Sequence, residues 1–126
     1  MSAVVLDTGV LIDVLRGHPG ALSFLSGLAE VPVCSEVTRT EVLQGMRSSE
    51  RASTRSLLDA LDWLAVDELV SSTAGAIGRK YRRSHAGLGI ADLMVAATAT
   101  LMHASLATTN PRHYPMFPGL RPPYGA

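Results

Sequence analysis

Four short apolar runs, each leading into a helical pattern or a polar turn, constrain this chain most. "AVVL" (Ala3 to Leu6), "VPVC" (Val31 to Cys34), "WLAV" (Trp63 to Val66) and "ASLATTN" (Ala104 to Asn110) are too short for helices and read as strands. Runs without polar alternation belong to strands buried on both faces, the condition of a parallel sheet. The segments between them carry helical spacing. Val10, Leu11, Val14 and Leu15 predict a first helix that stops at "GHPG", residues 17–20, and Leu22, Phe24, Leu25 and Leu28 a second. Ser35 can cap a third helix that carries Glu41 and closes near Gly45, and a fourth is expected from Arg51 to Leu61. Residues 72–85 read as helical despite Gly75 and Gly78, and "GIADLMVAATATLMH" is a strong helix former. Strands alternating with helices predict an α/β fold with a parallel sheet covered on both faces. Pro111, Pro115, Pro118, Pro122 and Pro123 make the tail irregular, with a short edge strand expected near Leu120.

The 126 residues fit a single domain spanning 1–126, and 47% hydrophobic against 17% charged residues exclude a disordered chain. Eleven basic and eleven acidic residues cancel, so net charge points to no polyanionic partner and excludes none, because binding depends on where charges lie. Cys34 has no second cysteine to pair with and reads as a small buried strand residue. An acid at position 7 interrupts any apolar signal-peptide region. No apolar run approaches the roughly 18 residues that span a bilayer. No membrane association is expected, and the cytoplasm is the default setting.

Ligands of parallel sheets bind beyond the carboxyl ends of the strands. Asp7 stands at such an end, directly after "VVL". Glu41 lies in the helix after the second strand, and Asp92 lies near the start of "GIADLMVAATA", on one helical face with Val95, Ala96, Ala99 and His103. Each acid has an ordinary reading: Asp7 as an N-cap, Glu41 as a solvated helix residue, Asp92 as a first-turn acid favoured by the helix dipole. If the first, second and fourth strands are neighbours, the three carboxylates converge at one end of the sheet. Converging carboxylates raise one another's pKa unless a cation sits among them. An all-oxygen set suits Mg²⁺ or Mn²⁺ rather than zinc, and His18, His85, His103 and His113 are too scattered for a zinc site. An acidic, water-rich Mg²⁺ site of that kind is how many proteins hydrolyse phosphodiesters.

"VVLDTGVLIDVLRG", "EVTRTEVLQGM", "GIADLMVAATA" and "LATTNPRHY" resemble the successive motifs of PIN-domain ribonucleases of the VapC toxin type, from about residue 3 to about residue 117. The resemblance implies a three-layer α/β/α PIN-like fold around a central, mostly parallel sheet. It implies Mg²⁺- or Mn²⁺-dependent cleavage of RNA, inhibition by a small antitoxin, and commonly a homodimer. Asp7, Glu41 and Asp92 match the acids that hold the metal, and Thr108 matches the threonine two residues before the fourth site position. That fourth position is Asn110, an amide where many relatives carry aspartate; its carbonyl can accept a hydrogen bond but adds no charge, so one metal ion rather than two is expected. Gly9 stands where relatives often carry Ser or Asn, and Asp13, six residues after Asp7, is a candidate for a supporting role.

"RKYRR", residues 79–83, groups Arg79, Lys80, Arg82 and Arg83 around Tyr81; it reads either as an RNA contact or as a solvated helix end. Arg112 and His113 follow Asn110 as further site candidates, whereas His103 is expected in the core. The apolar faces of residues 10–15 and 22–28 either pack on the sheet or leave surface for an antitoxin or a second copy. Two other functions compete. A phospho-receiver domain also gathers acids at strand ends, but it needs a lysine after the later strand, and Lys80 is the only lysine. A catalytically weak RNA- or protein-binding relative is the second, prompted by Asn110.

Overall fold

The computed structural model describes residues 3–126. Four three-residue strands, β1 (Val4–Leu6), β2 (Val33–Ser35), β3 (Asp62–Leu64) and β4 (Ser105–Ala107), form one parallel sheet in the order β3-β2-β1-β4. Val5 is opposite Val33 on one side and Leu106 on the other, so β1 is paired on both edges. The side-chain period of two then sorts the core. Leu6, Cys34 and Ala107 face one layer, and Val5, Val33 and Leu106 face the other.

The first layer holds α1 (Thr8–Leu15), α2 (Pro19–Ser26) and α4 (Arg51–Asp59), which bring Val10, Leu11, Phe24, Leu25 and Leu58 against the sheet. The second holds α6 (Ile90–Leu101), whose Val95, Ala96 and Ala99 cover Val5 and Leu106. α5 (Glu68–Tyr81) packs on α6 through Val70 and Ala74 against Leu93 and Ala97. Gly78 explains the closeness of that pair: a Cβ there would stand 2.9 Å from Leu93 Cδ1. α3 (Glu36–Gln44) sits over the carboxyl end of the sheet and feeds both layers, Val42 into one and Val37 into the other. The result is the expected α/β/α arrangement. Val5, Leu6, Val10 and Leu11 have no exposed surface, and each contributes roughly 1.5–3 kcal/mol by burial.

Several boundaries move for identifiable reasons. Pro32 has no N–H for a ladder and Val31 is 52% exposed, so β2 starts at Val33. His18 and Pro19 do not merely end α1. The His18 Nδ1 accepts from the Gly20 and Ala21 N–H groups, and Pro19 takes the first position of α2. α5 begins at Glu68 rather than 72 because Asp67 caps it, accepting from the Val70 N–H at 2.9 Å. No strand forms near Leu120. Successive turns, Phe117 N–H to the Tyr114 carbonyl and Leu120 N–H to the Phe117 carbonyl, lay the tail against the second layer instead.

His103 is exposed rather than packed in the core. It occupies the left-handed region (φ 51°) just past α6, where its N–H donates to the Thr100 carbonyl and the Ala104 N–H to the Ala99 carbonyl. That is a helix-ending motif that favours glycine. Cys34 is fully buried, as expected. The apolar residues Val10 and Leu11 are core, whereas Leu22 of α2 is 44% exposed.

Candidate active site at the carboxyl ends of the strands

Asp7 leaves β1 and turns directly into α1. Its backbone N–H still donates to the Ala107 carbonyl (2.9 Å), which prolongs the β1–β4 pairing. Its Oδ1 accepts from the Thr8 N–H at 2.9 Å, so the helix-cap reading is correct as well. Its Oδ2 accepts from the Thr108 hydroxyl at 2.7 Å. Asp7 is 6% exposed and Thr108 fully buried. Thr108 follows β4 as Asp7 follows β1, and its oxygen also accepts the Asn110 N–H at 3.0 Å. One hydroxyl therefore locks the loop after β4 to the carboxylate after β1.

Glu41 projects from α3 toward the same place. The Thr8 hydroxyl donates to its Oε1 at 2.6 Å, and Thr38 Oγ1 lies 3.4 Å from that hydroxyl. Asp92 is the third residue of α6. Its Oδ1 lies 3.4 Å from the Tyr114 hydroxyl and its Oδ2 lies 3.2 Å from His113 Nδ1. Burial pushes the Asp92 carboxyl above its ordinary range; the Asp7 charge adds to this, His113 works against it, and Glu41 adds a smaller push. Asp7 and Glu41 thus both lie within electrostatic reach of Asp92.

Tyr114 is 1% exposed, and burial together with the Asp7 and Asp92 charges drives its phenol far above the ordinary value, so it remains a hydrogen-bond donor between the two acids. Neither Thr8 nor Tyr114 stands out in the sequence as a site residue. The only signal was position: Thr8 follows the strand-end acid, and Tyr114 closes "LATTNPRHY".

The remaining candidates separate. Asn110 is exposed at the rim, tied in by its backbone N–H, and its side chain does not cap the following turn. Asp13 is not part of the cluster; its Oδ2 accepts from the Tyr124 hydroxyl at 2.7 Å and anchors the tail. A Cβ on Gly9 would meet Thr109 Oγ1 at 2.8 Å, so the bare backbone lets the loop after β4 approach the first turn of α1. Arg112 is exposed beside His113.

The donor set fits a hard divalent cation. All the oxygens are carboxylate or hydroxyl, the ligands a hard divalent cation takes, and a cation there would offset both the burial and the neighbouring Asp7 charge that raise the Asp92 pKa. Among the described residues, no three His, Cys, Asp or Glu side chains stand close enough together to hold a metal ion as they are placed. Glu41 meets Asp7 only through Thr8. A groove of about 420 Å³ lies apart from the acids, between α3 and α4, lined by Arg39, Leu43, Arg51 and Leu58 among others.

The chain belongs to the PIN domain family, whose model matches residues 4–116. It is 42% identical over 123 residues to Ribonuclease VapC19 of Mycobacterium tuberculosis, covering 95% of this chain and 98% of that protein. It is 38% identical over 123 residues to Ribonuclease VapC10 of the same organism, covering 96% and 92%. Among solved structures it resembles the "Toxin-antitoxin complex from Klebsiella pneumoniae", with a TM-score of 0.85, 25% identity, and coverage of 98% of this chain and 100% of that one.

Proposed function

We propose that this chain, as one PIN domain, is a divalent-metal-dependent endoribonuclease and the toxin of a type II toxin–antitoxin pair. The observation that carries this reading is the gathering of Asp7, Glu41 and Asp92 at one end of the sheet, with Asp92 held above its ordinary pKa by burial and by the neighbouring Asp7 charge. The relatives named ribonucleases support the chemistry, and the solved toxin–antitoxin complex supports a small antitoxin as partner. RNA as substrate, a homodimer and a cytoplasmic setting complete the proposal. No helix among the described residues is long and apolar enough to cross a membrane.

Asp7, Glu41 and Asp92 would hold Mg²⁺ or Mn²⁺. A bound divalent ion supplies Lewis acidity, making water acidic enough to attack phosphorus at neutral pH and offsetting charge on the phosphate oxygens. The chain's own residues do the positioning. The Thr8 N–H and the Thr108 hydroxyl aim the two oxygens of Asp7, and the Thr8 hydroxyl orients Glu41. Tyr114 and His113 fix the two oxygens of Asp92. Asn110, at the rim, offers a neutral amide to the substrate. A catalytically weak binding protein is not favoured, because the substitution that prompted it lies outside the three-acid cluster.

The test is cleavage of purified RNA with Mg²⁺ or Mn²⁺ by the wild type, Asp7→Asn and Asp92→Asn. Metal-dependent cleavage lost in both variants, with circular dichroism unchanged, is expected. Cleavage that survives both substitutions and a chelator would overturn the proposal.

A further inference from the structure

The zero net charge conceals a division along the chain. Residues 1–68 hold ten acids and five Lys or Arg, whereas residues 69–126 hold six Lys or Arg and a single acid, Asp92. Four of those six, Arg79, Lys80, Arg82 and Arg83, fall within five positions at the end of α5 and the start of the loop to α6, and all four are exposed. Among the described residues the one Lys or Arg within ion-pair distance of a carboxylate is Arg39, beside Glu36, so none of the four is neutralised by a carboxylate.

Their position is set by the α5–α6 hairpin. Leu93 packs where Gly78 has no side chain, which puts the end of α5 beside the start of α6. The loop closes at Gly89, where a Cβ would lie 3.6 Å from Asp92 Oδ2. The cations therefore stand at the end of the molecule that holds the three acids. A helix dipole favours a cation in the last turn, but it accounts neither for four adjacent like charges nor for Arg82 and Arg83, which lie beyond the helix. Like charges so close repel one another and are relieved by a polyanion.

We propose that this α5–α6 tip is a docking surface for the phosphate backbone of single-stranded RNA, holding the strand against an otherwise repulsive acidic site. Its ligand class rests on the ribonuclease reading. The contact is with phosphates rather than bases. Tyr81, the aromatic of the cluster, is half-buried, with Lys80 Nζ 5.6 Å from its ring centre and His85 edge-on at 5.9 Å. The tip therefore adds affinity without adding sequence preference.

The experiment measures fluorescence anisotropy of a labelled single-stranded RNA of about twelve nucleotides. Full-length protein is titrated in EDTA, so no cleavage occurs, across a series of salt concentrations. Arg82→Ala/Arg83→Ala is expected to weaken binding about ten-fold or more at low salt and to reduce the salt slope by about 1.4, two contacts at roughly 0.7 each. The loss should be equal for unrelated sequences, and Arg82→Lys/Arg83→Lys should restore the slope. Arg47→Ala/Arg55→Ala, in the acidic half of the chain, should leave it unchanged. An unchanged slope in the alanine pair, or an equal loss in the control pair, overturns the proposal. So does a glutamate-rich peptide that binds at the tip while RNA affinity is untouched, which would assign the surface to a protein partner. Tip-dependent RNA binding without cleavage in any metal would instead overturn the ribonuclease reading and keep the docking surface.

Discussion

Thr108→Val removes one hydroxyl and keeps the side chain's shape, so it isolates the link between β4 and Asp7. Two hydrogen bonds are lost, the 2.7 Å donation to Asp7 Oδ2 and the 3.0 Å acceptance from the Asn110 N–H. The first is charge-assisted and buried, contributing about 1.5–3 kcal/mol; the second serves an N–H near the surface and adds about 0.5–1 kcal/mol, part of which water can replace. The expected destabilisation is therefore about 2–3 kcal/mol. For a chain of this length each kcal/mol moves Tm by roughly 3–5 °C, so the variant should melt about 6–15 °C below wild type. Thr108→Ser keeps the hydroxyl and should melt close to wild type. Because the lost bond orients Asp7, metal affinity or cleavage should also fall by roughly 10–100-fold. Thermal unfolding followed by circular dichroism, with the Ser variant as control, reads the stability; a Val variant melting within experimental error of wild type would refute the reasoning.

Cys34 is fully buried, and desolvation lifts its thiol from 9.0 to about 12. It should stay inert to a disulfide reagent at mildly alkaline pH and react once the protein is unfolded. Since the folded thiol loses its proton less readily than the unfolded one, stability should decline as pH rises from about 9 toward about 12. His103→Gly relieves a left-handed residue at the end of α6, at φ 51°. It should raise stability by about 0.5–1 kcal/mol after the extra flexibility of glycine in the unfolded chain is subtracted, and a lower Tm would contradict that. Asp92 has its folded pKa raised, so its ionisation disfavours the metal-free fold as pH rises through the carboxylate range. Asp92→Asn should thus melt at or above the metal-free wild type at neutral pH, with the gap closing in acid. A variant less stable at neutral pH than in acid, relative to wild type, would reverse the sign.

What the sequence disclosed was local or periodic. Apolar runs such as Val4–Leu6 announce a buried parallel sheet, and the rule that ligands bind at strand ends singles out Asp7, Glu41 and Asp92 as companions. Long-range pairings were silent. Tyr124 meets Asp13 across 111 positions, and Tyr114 reaches Asp92 across 22, neither of which a periodicity can foretell. Asp13 consequently reads as a site candidate in the sequence and is a tail anchor in the fold. Position 103 shows a different gap: an apolar helix pattern predicts a buried histidine, but the helix stops at Leu101, two residues earlier, and the chain turns it outward. The tail near Leu120 shows a third. Its apolar residues pack against the second layer, but through turns, because the surrounding prolines donate no ladder hydrogen bonds.

The claim that Asp7, Glu41 and Asp92 form a divalent-cation site is tested most directly by calorimetric titration of Mn²⁺ into the purified protein. The account predicts about one ion per chain, in keeping with an amide at Asn110, and loss of binding in Asp7→Asn, Glu41→Gln and Asp92→Asn. Mn²⁺ binding of wild-type strength in those three variants would contradict it.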